Sequence, residues 1–241
     1  MTFDIAIIER YWPMILDGFG VTLAVFGLSL VLSLALGVVV AFARMSKFRL
    51  ISWTAIALIE VVRNIPFMVL LFVLFFILPF FGPRMSAFFV GVIALTVFGG
   101  AYFAEIIRAA IQSLPRGQLE SARAVGMSYG EAMRHVVFPQ MLGYFIPPAT
   151  NQSIMLVKES SVLSTITVVE MTMAAQVVTG LTLAPIEVFL MISIMYWLLN
   201  ASISRAAARL EAALQPAARR RRSAARQARA ANAASASRDR R

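Results

Sequence analysis

The sequence predicts an all-α integral membrane protein of five transmembrane helices, with its N-terminus outside and its C-terminus in the cytoplasm. Three observations lead there: an apolar composition, uncharged stretches long enough to cross a bilayer, and a lopsided placement of the basic residues between them. Of 241 residues, 60% are hydrophobic and 14% charged, and the mean hydropathy is +0.80, far above what a water-soluble domain carries. Cysteine is absent and His135 is the single histidine. That composition excludes disulfide frameworks, thiol nucleophiles and Cys/His metal cages.

A membrane-crossing helix needs about 20 apolar residues to bridge a hydrocarbon core of about 30 Å. Val21–Ala43, Ile65–Pro83, Met85–Ala104 and Val136–Val157 are uncharged stretches of that order, and Val188–Ser204 is a shorter fifth. The first is longer than the apolar region of a secretory signal, and it follows Asp4, Glu9 and Asp17 where a signal has basic residues. It is expected to stay in the mature chain. Five crossings with the N-terminus outside leave nineteen basic residues inside, among them Arg44, Lys47, Arg49, Arg63, Arg108, Arg116, Arg123 and Arg134, against Arg10, Arg84 and Lys158 outside. The excess of inside positive charge fixes that orientation. The expected organisation is a periplasmic segment over 1–19, a transmembrane domain over 20–204 and a cytoplasmic tail over 205–241. The formal charge of +10 is mostly tail: Arg205 to Arg241 carries eleven arginines against Glu211 and Asp239. The tail reads as an orientation signal and surface anchor near anionic lipid, with nucleic-acid or protein contact as the lesser alternatives.

The fourth stretch is not plain. It holds Pro139, Pro147, Pro148, Asn151 and Gln152, and the segment after it mixes apolar runs with Ser, Thr and single charges. Broken backbone at membrane depth is tolerated only beside protein or a water-filled cavity. This region is expected to line a path.

Between the third and fourth stretches, residues 111–138 read IQSLPRGQLESARAVGMSYGEAMRHVVF. Pro115 suits a helix start, Gly126 a left-handed helix end, and Ser128 with Glu131 a capping box opening a second helix. A mere connector and a DNA-reading helix-turn-helix compete with a functional reading. The second is geometrically poor, because both ends are tied to membrane spans.

Glu120-Ser121-Ala122, Gly126 three residues on, then nine residues and Val136-Val137-Phe138-Pro139, resemble the signature loop of permease subunits of ATP-binding-cassette importers. The departures from that pattern are Ser121, Val136 and Phe138, each small or apolar. LDGFGVTLAVFGLSL, IEVVRNIPFMVLLF, AYFAEIIRAAIQSLPRGQ and LVKESSVLSTITVVEM are similar to segments of the polar amino acid permease branch, covering about 16–204. The resemblance implies a type I importer permease-like bundle, multi-pass in a bacterial inner membrane. It implies pairing with a second permease chain, identical or homologous, two cytoplasmic ATPase subunits that hold ATP and Mg, and a periplasmic amino-acid-binding protein.

It also implies roles for particular residues. Arg116, Glu120, Ser121, Ala122, Gly126 and Pro139 belong to the ATPase-coupling loop; the plainer reading of Glu120 is pairing with Arg116 or Arg123 at helical spacing. This chain has no phosphate-binding G-x-x-x-x-G-K-[ST] loop, so energy comes from a partner, and no catalytic residue or metal set is expected. Lys158, Glu159, Ser160 and Ser161 stand where the family reads Lys-Asp-Thr-Ser. In that reading Glu159 meets the ammonium of a zwitterionic amino acid, and Ser160, Ser161 or a helix end meets its carboxylate. In the plainer one, Lys158 snorkels to the headgroups and Glu159 neutralises it. Arg63 and Pro66 resemble an Arg-Gly-Thr-Pro segment, placing Arg63 on the pathway's inner end or as a span anchor. Glu170, isolated among apolar residues, faces the cavity or the packing, and Glu105 with Arg108 reads as an interfacial pair. An ion-coupled secondary transporter is the rival function, for which no inverted repeat is visible. A membrane scaffold or channel is the other.

Overall fold

The computed structural model describes residues 4–82 and 85–214, with the backbone alone at Arg116. The tail beyond Leu214, and with it most of the basic anchor, lies outside the described residues, as does Arg84. No strand occurs among the described residues.

The first helix, α1 (Ile5–Arg44), opens on Asp4, whose carboxylate accepts from the Ala6 N–H at 2.9 Å. At 40 residues it is about 60 Å long, twice the hydrocarbon core. The segment expected to precede the first span is therefore helical and continuous with it. One stripe of α1 is small and buried: Gly18, Thr22, Val25, Ser29, Ser33, Gly37 and Ala41. Small residues at that spacing let backbones approach in lipid, where packing replaces the hydrophobic drive.

From Ser29 onward the stripe receives α4 (Ala87–Gln112), while Gly18 and Thr22 face residues 170–174. The Ser29 hydroxyl donates to the Val92 carbonyl at 3.5 Å and that of Ser33 to Leu95 at 3.3 Å. A Cβ at Gly37 would lie 2.6 Å from the Phe103 Cβ, and one at Gly99 2.5 Å from the Ser33 hydroxyl. Residue numbers rise together on both helices, so α1 and α4 run parallel.

Parallel neighbours require the chain between them to return. That chain is two helices, α2 (Arg49–Asn64) and α3 (Phe67–Phe81), bent by 112°. Extended Ile65 and Pro66, which has no N–H to continue a helix, make the bend. Ala55 and Ile59 of α2 pack with Ala104 and Ile107 at the C-terminal end of α4. Phe67 of α3 meets Phe98, nearer the middle of α4, at 5.1 Å between ring centroids. The sequence predicts a span over Ile65–Pro83; α3 alone, at 15 residues, is about 22 Å long, and α2, turned 112° from it, stays beside the C-terminal ends of α1 and α4.

After α5 (Arg116–Ala124), the single turn α6 (Tyr129–Ala132) and a π-helical turn over Met133–Val137, α7 (Phe138–Glu159) runs antiparallel to α4. Leu156 sits beside Gly99, and Leu163, in the 3₁₀ turn Ser160–Ile166 that follows, beside Gly91. Left-handed Thr167 then leads to α8 (Met171–Thr182), bent by 51° from the preceding segment. Finally α9 (Pro185–Leu214) begins with Glu187 beside Asp4, whose N–H donates to its carboxylate at 3.2 Å. Its inner part shares a cleft of about 360 Å³ with Phe26 and Leu34 of α1 and Phe145 of α7. Thus α1, α4 and α9 run one way, while α3 and the α7–α8 segment run back. Three of the helices are long and apolar enough to cross a membrane alone, and the two bent pairs bring the number to as many as five.

Candidate functional site

The turn between α5 and α6 is built by local chemistry. Pro115 fixes the approach to α5, and Gly126 ends it at φ +90°, a conformation that L side chains rarely adopt. The Met127 N–H donates to the Ala122 carbonyl at 3.3 Å and closes the turn. The capping box is present: the Ser128 N–H donates to Glu131 at 2.8 Å, and the Glu131 N–H donates to the Ser128 hydroxyl at 3.3 Å. Ser128's backbone N–H and hydroxyl hold the Glu131 carboxyl below its ordinary value. Ala122 is buried against this unit, while Glu120, Ser121 and Pro139 are exposed and Arg116 opens α5. Gln140 of α7 donates to Gln118 of α5 at 3.3 Å. Around Gly126 the surface is apolar: Val125 is 75% and Tyr129 59% exposed.

A second group lies deep along the bundle. Lys158 and Glu159 end α7 between Leu156, level with Gly99, and Leu163, level with Gly91, hence against the apolar middle of α4. Lys158 is exposed and Glu159 half-buried. No ion pair joins them among the described residues, where the paired carboxylate is Glu105. The Ser160 hydroxyl donates to the Val157 carbonyl at 2.8 Å and that of Ser161 to Lys158 at 2.7 Å. Both hydroxyl protons are therefore held by the helix, and a substrate carboxylate would have to recruit them from it. Tyr144, Pro147, Pro148, Asn151 and Lys158 share an exposed face of α7 at helical spacing.

Glu170 sits elsewhere. It is fully buried, and its carboxylate accepts from the Thr172 N–H at 2.9 Å, the Met173 N–H at 2.8 Å and the Tyr196 hydroxyl at 3.1 Å. In the single chain it caps α8 and bonds to α9.

At the α2–α3 bend, exposed Arg63 stacks its guanidinium carbon 5.1 Å from the Tyr102 ring centroid, next to exposed Pro66. Glu105 binds Arg108 on its own helix and Arg44, the last residue of α1, at 2.7 Å. Sequence spacing gives the first of these pairs. The second needs the parallel contact of α1 with α4, which no local pattern reports. Among the described residues no group of three His, Asp or Glu side chains is placed to hold a metal ion.

Comparison with known proteins adds the wider setting. Residues 33–216 match the family described as binding-protein-dependent transport system inner membrane component. The chain is 37% identical over 201 residues to the probable glutamine ABC transporter permease protein GlnM of Bacillus subtilis, covering 83% of this chain and 93% of that protein. It is 35% identical over 214 residues to the probable glutamine permease protein GlnP of the same organism, covering 88% and 98%. A crystal structure described as an amino acid ABC transporter with histidines superposes with a TM-score of 0.80 at 33% identity, covering 88% of this chain and 99% of that one.

Proposed function

Since the chain belongs to the family of binding-protein-dependent transport system inner membrane components, as an amino acid ABC transporter permease, we propose that it forms the translocation pathway for a polar amino acid. In this reading it crosses a bacterial inner membrane five times, N-terminus out and C-terminus in. It works with a second permease chain, identical or homologous, two ATPase subunits that bind ATP and Mg, and a periplasmic binding protein that delivers the amino acid.

The observation that carries the reading is the exposed apolar tip Val125–Tyr129 on a sharply turned cytoplasmic segment. Apolar side chains held out of lipid by a capped, rigid turn are what a partner's cleft covers. Glu120 and Arg123 rim the tip, and movement of that cleft passes through α5 and the Gln118–Gln140 bond into α7. A second feature supports the pathway. A charge exposed to lipid near the middle of a helix costs roughly 2.5–3.5 kcal/mol, so the α7 face with Asn151, Lys158 and Glu159 is stable when water or the second chain covers it. Glu159 then offers a carboxylate to the substrate ammonium, Arg63 lines the inner end, and Ser160, Ser161 and Pro66 shape the passage.

Copurification tests the partnership. The tagged chain is expected to bring an ATPase subunit out of the membrane, and Val125→Ser with Tyr129→Ser is expected to release it. A chain purified alone from intact membranes under mild detergent contradicts the reading.

A further inference from the structure

The fourth crossing breaks between Glu159 and Met171, and the break is held from outside itself. Thr167 sits at φ 64°, a costly conformation for a β-branched residue that persists only where its surroundings enforce it. The enforcing contacts converge on α1 and α9. From α1, the Thr22 hydroxyl accepts from the Met171 N–H at 3.1 Å while donating to the Gly18 carbonyl. From α9, the Tyr196 hydroxyl donates to Glu170 at 3.1 Å and lies 3.1 Å from the Thr172 hydroxyl. One side chain of α9 and one of α1 thus hold the α8 end of the break, just beyond the strained Thr167.

We infer that Tyr196 and Glu170 are positioning residues: they clamp the break so that Glu159 and Ser161 are presented on the pathway face, and they do not themselves meet the substrate. The inference rests on the transport reading for its purpose, though not for its geometry. Glu170 is buried with every one of its partners inside the chain. Buried networks of this kind specify one arrangement when fully satisfied, and removing a member leaves costly unpaired groups.

The chain has no cysteine, so a single Glu159→Cys thiol can report on its surroundings in the assembled complex. Adding Tyr196→Phe, which keeps the ring and removes the hydroxyl, is expected to change the rate of modification by a water-soluble maleimide about fivefold or more, the scale of losing a bond to a charged group. A control thiol at Lys47→Cys, exposed between α1 and α2, is expected to react unchanged. Glu170→Asp, which retains an excellent helix cap but withdraws the carboxylate from Tyr196, is expected to reproduce the effect if Tyr196→Phe assembles poorly. ATP-driven uptake of the polar amino acid most rapidly transported by the wild type is expected to fall about as much in Tyr196→Phe with position 159 native. Unchanged reactivity at position 159, or equal changes at both thiols, overturns the clamp. A wild-type complex without ATP-driven uptake overturns the transport reading while leaving the thiol result to judge the clamp.

Discussion

Gly126 shows how one residue's freedom becomes a mechanical part. At φ +90° a β-branched side chain is strained by roughly 1–3 kcal/mol, although nothing lies within 4 Å of where its Cβ would be. Gly126→Val is therefore expected to insert and assemble in the membrane but to lose most ATP-dependent uptake; uptake near wild type would show that the turn's geometry does not matter. Glu159 is the corresponding residue of the pathway. Glu159→Ala is expected to reduce uptake at least about tenfold at equal assembly, the loss of a charge-assisted bond, and unchanged rate and half-saturation would remove the ammonium contact. Gly126, Ser128 and Glu131 are legible from sequence because their chemistry is local. Glu170 is legible only in part: its cap onto the Thr172 and Met173 N–H groups is local, while its bond from Tyr196 is assembled by the packing of α9 against α8.

At the scale of elements, α6 is a single turn and depends on its cap. Ser128→Ala is expected to cost roughly 0.5–2 kcal/mol of local stability, seen as faster amide exchange over 128–137 with the spans unaffected. Glu131 gives this turn a pH dependence of definite sign. Its carboxyl is held below the ordinary value in the folded turn, so its contribution is present above the unfolded value, about 4.3, and is lost as pH falls through the folded one. Amide protection of α6 is expected to decline on acidification below about 4.3 and to lose that dependence in Glu131→Gln. An acid response identical in both forms would contradict the assignment. The bends were legible only in part. Pro66 marks the first bend, but its 112° angle comes from where α2 and α3 find α4; Pro147 and Pro148 sit inside continuous α7, and the second break comes later, at Ser160–Glu170. Likewise α1 and α9 run beyond their apolar stretches, α1 with Pro13 inside it.

For the whole molecule, a parallel α1–α4 pair packed through small residues forms a frame against which the broken α7–α8 segment is braced. Composition makes membrane residence readable from the sequence, and the spacing of the 120–139 loop points to the family. Which helices touch is set by buried stripes such as Ser29, Ser33 and Gly37, which look unremarkable in a hydropathy trace. One face of α7 is left with a lysine and an asparagine exposed, and the α5–α6 turn is left with an apolar tip. In the proposed reading, both are surfaces that an assembly completes.

The most direct measurement is uptake of radiolabelled polar amino acids into proteoliposomes holding the chain with its ATPase and loaded binding protein. Accumulation that requires ATP, stops when the ATPase is omitted and persists when ion gradients are collapsed is the predicted result. Accumulation without ATP, driven by an imposed proton or sodium gradient, would contradict it.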